Sequence, residues 1–150
     1  MTEDADIAAL KSKIEDLSQH RDELANAPFA ATATHTGSII VEANQAFADL
    51  VNYTVDQLIG LNAWTLFPPE SYPLLMQKLQ TKSEKSYEVM AQDRHGKAFA
   101  IEMYGVNHEW KGEPARTVHV RDITERKAVE HELSKTKRAY QHHAWMASHD

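Results

Sequence analysis

An α+β fold, with an antiparallel sheet of about five strands, short helices on one of its faces and a coiled-coil-like helix at each end, is what this sequence predicts. Three observations carry it. Period-two alternation of apolar and polar residues gathers in 29–43 and 87–123, broken by glycine turns. Between Asn44 and Lys82 the apolar spacing becomes helical, in short pieces punctuated by Gly60 and Pro68-Pro69. Both ends carry heptad-like apolar spacing.

Ile7, Leu10, Ile14, Leu17 and Leu24 fall on one stripe of the first helix, with Arg21 in the slot between the last two. The stripe suits a coiled coil, and it suits equally a helix folded back on its own domain. Pro28 closes the segment, because the residue before proline avoids helical geometry. Residues 29–43 read as two short strands joined around His35-Thr-Gly37, with Ile39 and Val41 on one face. Phe47, Leu50 and Val51, then Val55, Leu58 and Ile59, then Leu74, Leu75 and Leu79 mark the short helices that cover the sheet. Residues 87–91, 99–106 and 116–123 are the remaining strands, turning at His95-Gly96 and Lys111-Gly112.

The end of the last strand is the most informative stretch. Val118 and Val120 alternate with His119 and Arg121, and Asp122 precedes Glu125 by the spacing of a helix capping box. A strand therefore runs without a loop into a helix, and Asp122, Ile123, Thr124 and Glu125 form a junction able to pass a change in the domain to an outgoing rod. Beyond it no glycine or proline intervenes. Val129, Leu133, Thr136, Tyr140, His143 and Ala147 make a second seam, whose polar members leave it weak enough to shift or rotate.

The segment Arg121-Asp-Ile-Thr-Glu-Arg-Lys127 resembles the Asp-Ile-Thr signature that closes PAS domains, the small sensor modules of signalling proteins. Asn44-Gln-Ala-Phe47, Tyr53, Leu58-Ile-Gly60 and Asp93-Arg-His-Gly96 follow the order of that family. The chain departs from it at His95, where an acidic residue is common, and at Pro68-Pro69. The resemblance implies an N-terminal amphipathic helix over 1–27, a PAS sensor domain over 28–124, and a signalling helix over 125–150 that leads into the output domain of a bacterial sensor protein.

A formal net charge of -6 and the lack of a Lys/Arg cluster argue against nucleic acid or an anionic membrane surface as partner. No apolar run approaches the roughly 20 residues that cross a bilayer, so a cytoplasmic location is expected. Cysteine is absent, which removes disulfides and thiol chemistry. The unpaired seams point to self-association as a parallel homodimer.

PAS domains often hold a small molecule between helices and sheet, so the resemblance prompts a test of each cofactor. Light-sensing flavin relatives use a cysteine in a Gly-x-Asn-Cys segment; here Gly60-Leu-Asn-Ala63 supplies alanine, and Ala91 and Ile101 sit near the later positions where those relatives carry polar side chains. Haem relatives place an axial histidine in the helix before the third strand; residues 70–82 hold none, and Met76 reads as core filler. No cofactor is expected, though an unknown small ligand is open. The expected lining is Val41, Phe47, Leu50, Trp64, Met90, Ile101, Met103, Val118 and Val120, residues that equally form an ordinary apolar core. Trp64 stands out, since its ring and N–H suit a planar or acidic metabolite. The nine histidines show no ligand spacing, and no metal site is expected.

Ser148-His149-Asp150 resembles the start of the phosphoacceptor box of histidine kinases, with His149 as phosphoacceptor and Asp150 as proton acceptor. The implied function is regulation of an attached histidine kinase in two-component signal transduction, with a response regulator as downstream partner. The alternatives are regulation of a diguanylate cyclase, whose catalytic domain also opens with a His-Asp pair, and a ligand-free dimerisation module. Catalysis itself is expected to lie outside this chain.

Overall fold

The computed structural model describes residues 2–149. The chain forms two compact units, Pro28–Ile123 and a pair made by the terminal helices.

Within the first unit, β1 (Ala31–Thr36), β2 (Ile39–Ala43), β3 (Tyr87–Gln92), β4 (Ala98–Trp110) and β5 (Glu113–Asp122) form one antiparallel sheet in the order β2-β1-β5-β4-β3. The two short hairpin turns follow from backbone chirality: Gly37 and Ser38, like Lys111 and Gly112, all take positive φ, the geometry that matches the twist of adjoining strands. The third turn closes at Asp93, whose carboxylate Oδ1 accepts the backbone N–H groups of His95 and Lys97 at 2.8 and 3.0 Å. Its Oδ2 accepts from Asn52 Nδ2 at 2.9 Å, tying this turn to the helical layer.

That layer consists of α2 (Gln45–Val51), α3 (Val55–Leu58), two 3-10 turns (Ala63–Leu66 and Pro69–Ser71) and α4 (Tyr72–Thr81). Its brevity comes from local chemistry. Asn44 caps α2 by accepting from Phe47 N at 2.9 Å, and Asn52 ends it in the left-handed region. Thr54 and Gln57 make a reciprocal capping box on α3. Against the inner face of the sheet these pieces bury Phe47, Val51, Leu58, Leu66 and Leu75 with Ile40, Ile101, Met103, Val118 and Val120. Each such side chain contributes roughly 1.5–3 kcal/mol on burial.

Two strand faces differ from the sequence expectation. Regular alternation puts Val41 inside, but the β1–β2 register runs Thr34↔Glu42 and then His35↔Ile40, so Val41 is the extra residue of a β-bulge and Ile40 takes the inner position at 2 % exposure. Met90 pairs with Ala100 and lies 42 % exposed, while Val89 and Ala91 beside it are buried. Three consecutive apolar residues, Val89-Met-Ala91, leave the phase of the strand undetermined by pattern alone. Met76, expected as core filler, is also exposed.

In the second unit α1 (Thr2–Ala25) and α5 (Thr124–Ser148) run antiparallel. Glu3 meets His143 at 2.7 Å, Lys13 meets Glu132 at 2.7 Å and His20 meets Glu125 at 3.2 Å. Val129, Leu133 and Thr136 of the expected α5 seam are buried, and the α1 seam is half-buried. The two stripes thus face one another within a single chain, with the α1 stripe left half-buried. No described helix is long and apolar enough to cross a membrane.

Candidate functional site

A cavity of about 70 Å³ opens between the helical layer and the inner face of the sheet. Of the expected lining, Phe47 and Leu50 reach it from α2, Trp64 from the first 3-10 turn, Ile101 and Met103 from β4, and Val118 and Val120 from β5. Val41 and Met90 do not, for the bulge and phase reasons above.

Trp64 is held edge-on to Tyr72 with ring centroids 5.0 Å apart, and its Nε1 donates to Ser38 Oγ at 3.0 Å. Its N–H is therefore engaged by the protein, and the ring acts as wall.

One end of the cavity is polar, and sequence reasoning missed it. Arg116, 5 % exposed, lines it together with His35 and Tyr87. His35 and Arg116 are direct partners across the β1–β5 ladder, so their side chains share the inner face. Nη1 of Arg116 donates to Asn107 Oδ1 at 3.0 Å and Nη2 to Ser83 O at 2.6 Å, both neutral acceptors. The guanidinium lies over Gly105, where a Cβ would overlap it, so this strand glycine provides the space for the arginine. His35 Nδ1 is buried without a hydrogen-bond partner among the described residues. Burial, and secondarily the Arg116 charge, lowers the His35 pKa below its ordinary value. Burial raises that of Tyr87, with Arg116 opposing. The signal was present in the alternation: Val118 and Val120 are inward, and Arg116 precedes them in the same phase.

At the junction Asp122 ends β5 and is exposed, Ile123 is 2 % exposed, and Thr124 and Glu125 open α5. The backbone N–H of Ile123 donates to Ala100 O at 3.1 Å, which fixes the last residue before the helix onto β4.

His149 is exposed and sits just past the end of α5. Its Nδ1 lies 2.8 Å from the carbonyl oxygen of Trp145 and its ring stacks on that indole at 4.3 Å. A carbonyl only accepts, so it favours the tautomer with the proton on Nδ1 and the lone pair on Nε2. Asp150 lies outside the described residues.

Glu3, Asp6 and His143 present donor atoms within 4.8 Å of one another, a grouping that only the antiparallel pairing of α1 and α5 creates.

A family model for the PAS domain matches residues 28–125. Among solved structures, a PAS domain from a two-component sensor histidine kinase is similar at 17% identity and a TM-score of 0.55, covering 71% of this chain and 96% of its own. A PAS domain from Colwellia psychrerythraea is 20% identical with a TM-score of 0.56, covering 65% and 88%. A light-oxygen-voltage domain studied with a flavin analogue is 15% identical with a TM-score of 0.55, covering 73% and 87%. The comparison with curated protein sequences gives no match.

Proposed function

Because the chain belongs to the PAS domain family, we propose that residues 28–124 sense a small ligand in the cytoplasm and, through the 122–125 junction and α5, set the activity of an attached histidine kinase that phosphorylates a response regulator. The observation that carries the kinase assignment is His149. It stands exposed at the end of an unbroken helix, with Nδ1 turned onto the Trp145 carbonyl and Nε2 left as the nucleophilic nitrogen.

The route from cavity to output is short in sequence. β5 carries Arg116, Val118 and Val120 along the cavity and continues through Ile123 directly into α5. A ligand that changes the seating of β5 side chains therefore acts on the strand that precedes the rod.

The reading includes neither flavin nor haem. Ala63, Ala91 and Ile101 offer the cavity no polar side chain, and a water takes roughly 10–15 Å³ of such a volume, so about 70 Å³ admits around five or six non-hydrogen atoms rather than a tricyclic ring. Among the cavity-lining residues the one histidine, His35, is on β1 and not on α4.

The kinase reading is tested in the intact parent protein by ATP labelling that is acid-labile and base-stable and disappears in His149→Gln. Labelling that survives this substitution, or cyclic di-GMP as product, replaces the kinase with a diguanylate cyclase. Self-association is a second element of the proposal: the α1 seam stays half-buried against α5, which leaves part of its apolar surface for a second copy.

A further inference from the structure

We propose that the cavity selects a short-chain monocarboxylate, its carboxylate held at the Arg116–His35 end and its tail against Phe47, Leu66, Ile101, Met103 and Val118. This rests on the reading of the cavity as a ligand pocket and adds the chemical class.

The charge balance leads to it. A guanidinium removed from water is costly unless an opposite charge and hydrogen bonds compensate it. Arg116 has two neutral acceptors for its five N–H donors, and no carboxylate among the described residues forms an ion pair with it. Glu84 accepts from the backbone N–H of Asn107 instead. Beside Arg116, His35 offers an imidazole whose buried Nδ1 has no partner, and the two residues are fixed side by side by the strand ladder. A guanidinium with an adjacent imidazole is a donor set for an oxyanion. The remaining walls are apolar, so a bare inorganic anion would leave them empty, while a longer chain exceeds the volume. A carboxylate with two or three further carbons satisfies both ends.

The tests use the whole chain and the acids themselves, acetate, propionate, butyrate and pyruvate, against propionamide and butyramide as neutral isosteres and inorganic phosphate as a tailless anion. Heteronuclear NMR titration is expected to show saturable shifts at Gly105 and Arg116 with propionate or butyrate. Affinity should be at least about tenfold above that of the matching amide, the loss typical of a hydrogen bond to a charged group. Arg116→Met should abolish that preference while Arg116→Lys keeps part of it. If either variant fails to fold, the acid-to-amide comparison on the unaltered chain decides alone. Equal binding of acid and amide overturns the carboxylate assignment and leaves the ligand pocket standing. Phosphate binding as well as propionate overturns the role of the apolar tail. No saturable binding by any probe overturns the pocket reading together with the inference.

Discussion

His35 and Arg116 are paired residue to residue across β1 and β5, so the ladder that builds the sheet also brings an imidazole and a guanidinium to the same end of the cavity. Two of the expectations below follow from that pairing.

The first concerns pH. The folded pKa of His35 is lowered from 6.5, by burial first and Arg116 second. At a pH between the two values the unfolded chain binds the proton that the folded one refuses, so stability rises with pH in this window. The contribution is complete above about pH 6.5 and is lost as pH falls toward the folded value. Thermal melts of the unaltered protein and His35→Gln at pH 7.5 and 5.5 isolate this histidine from the other eight. The substituted protein should lose less stability on acidification; an identical loss in both would remove His35 from the account.

Gly105→Ala is expected to destabilise by about 1–3 kcal/mol, the ordinary cost of overpacking a filled site. The added Cβ would overlap the Arg116 guanidinium and push it off its acceptors on Asn107 and Ser83. Urea unfolding measures the change. Combining Gly105→Ala with Arg116→Ala should cost less than the sum of the two single changes, and strict additivity would show that the two residues do not compete for space.

Asp93 holds three N–H donors, and its pKa is lowered mainly by the backbone N–H of Lys97 and then by the backbone N–H of His95 and the side-chain amide of Asn52, against the opposing effect of burial. Its carboxylate therefore stabilises the fold at pH values above 3.8, and that contribution disappears as acid protonates it in the folded state. Asp93→Ala should melt at a lower temperature near neutral pH, with the gap to the unaltered protein narrowing in strong acid. A constant gap across pH would mean that the turn depends on side-chain shape and not on charge.

Leu133 is buried in the α1–α5 pair, and Leu133→Glu should reduce the helical signal at 222 nm by releasing both helices. Removing a buried leucine typically costs 2–5 kcal/mol, a large loss for helices whose stability comes mainly from packing of their apolar face. For self-association, Leu10→Glu with Leu17→Glu should lower the mass measured by light scattering. An unchanged mass locates the contact between copies away from α1.

The purified protein should also be colourless. A Soret band or a flavin absorption spectrum would contradict the reading of Ala63, Ala91 and Ile101.

Element positions were legible wherever residue type, spacing and turn chemistry agreed. The hairpin at Lys111-Gly112 and the seam through Val129, Leu133 and Thr136 are cases in point. What a seam packs against is a different question, because an apolar stripe states what must be buried and not by what; the pairing of α1 with α5 has no signature in either helix alone. The cavity walls from Val118 and Val120 were readable by alternation. Arg116 was overlooked since a charged residue near the start of a strand is ordinarily solvated. His35 needed the strand pairing, which links residues far apart in the chain.

The bulge at Val41 makes the first hairpin asymmetric toward changes in length. Losing residue 41 would close the ladder into regular pairing, with Glu42 still opposite Thr34 and Ile40 still opposite His35. Gaining one residue elsewhere in β2 would instead turn Ile40 outward and bring a neighbour into the core. Deletions and insertions in this hairpin are thus expected to differ sharply in their tolerance, with position 41 the place where the chain can shorten without exchanging its inside for its outside.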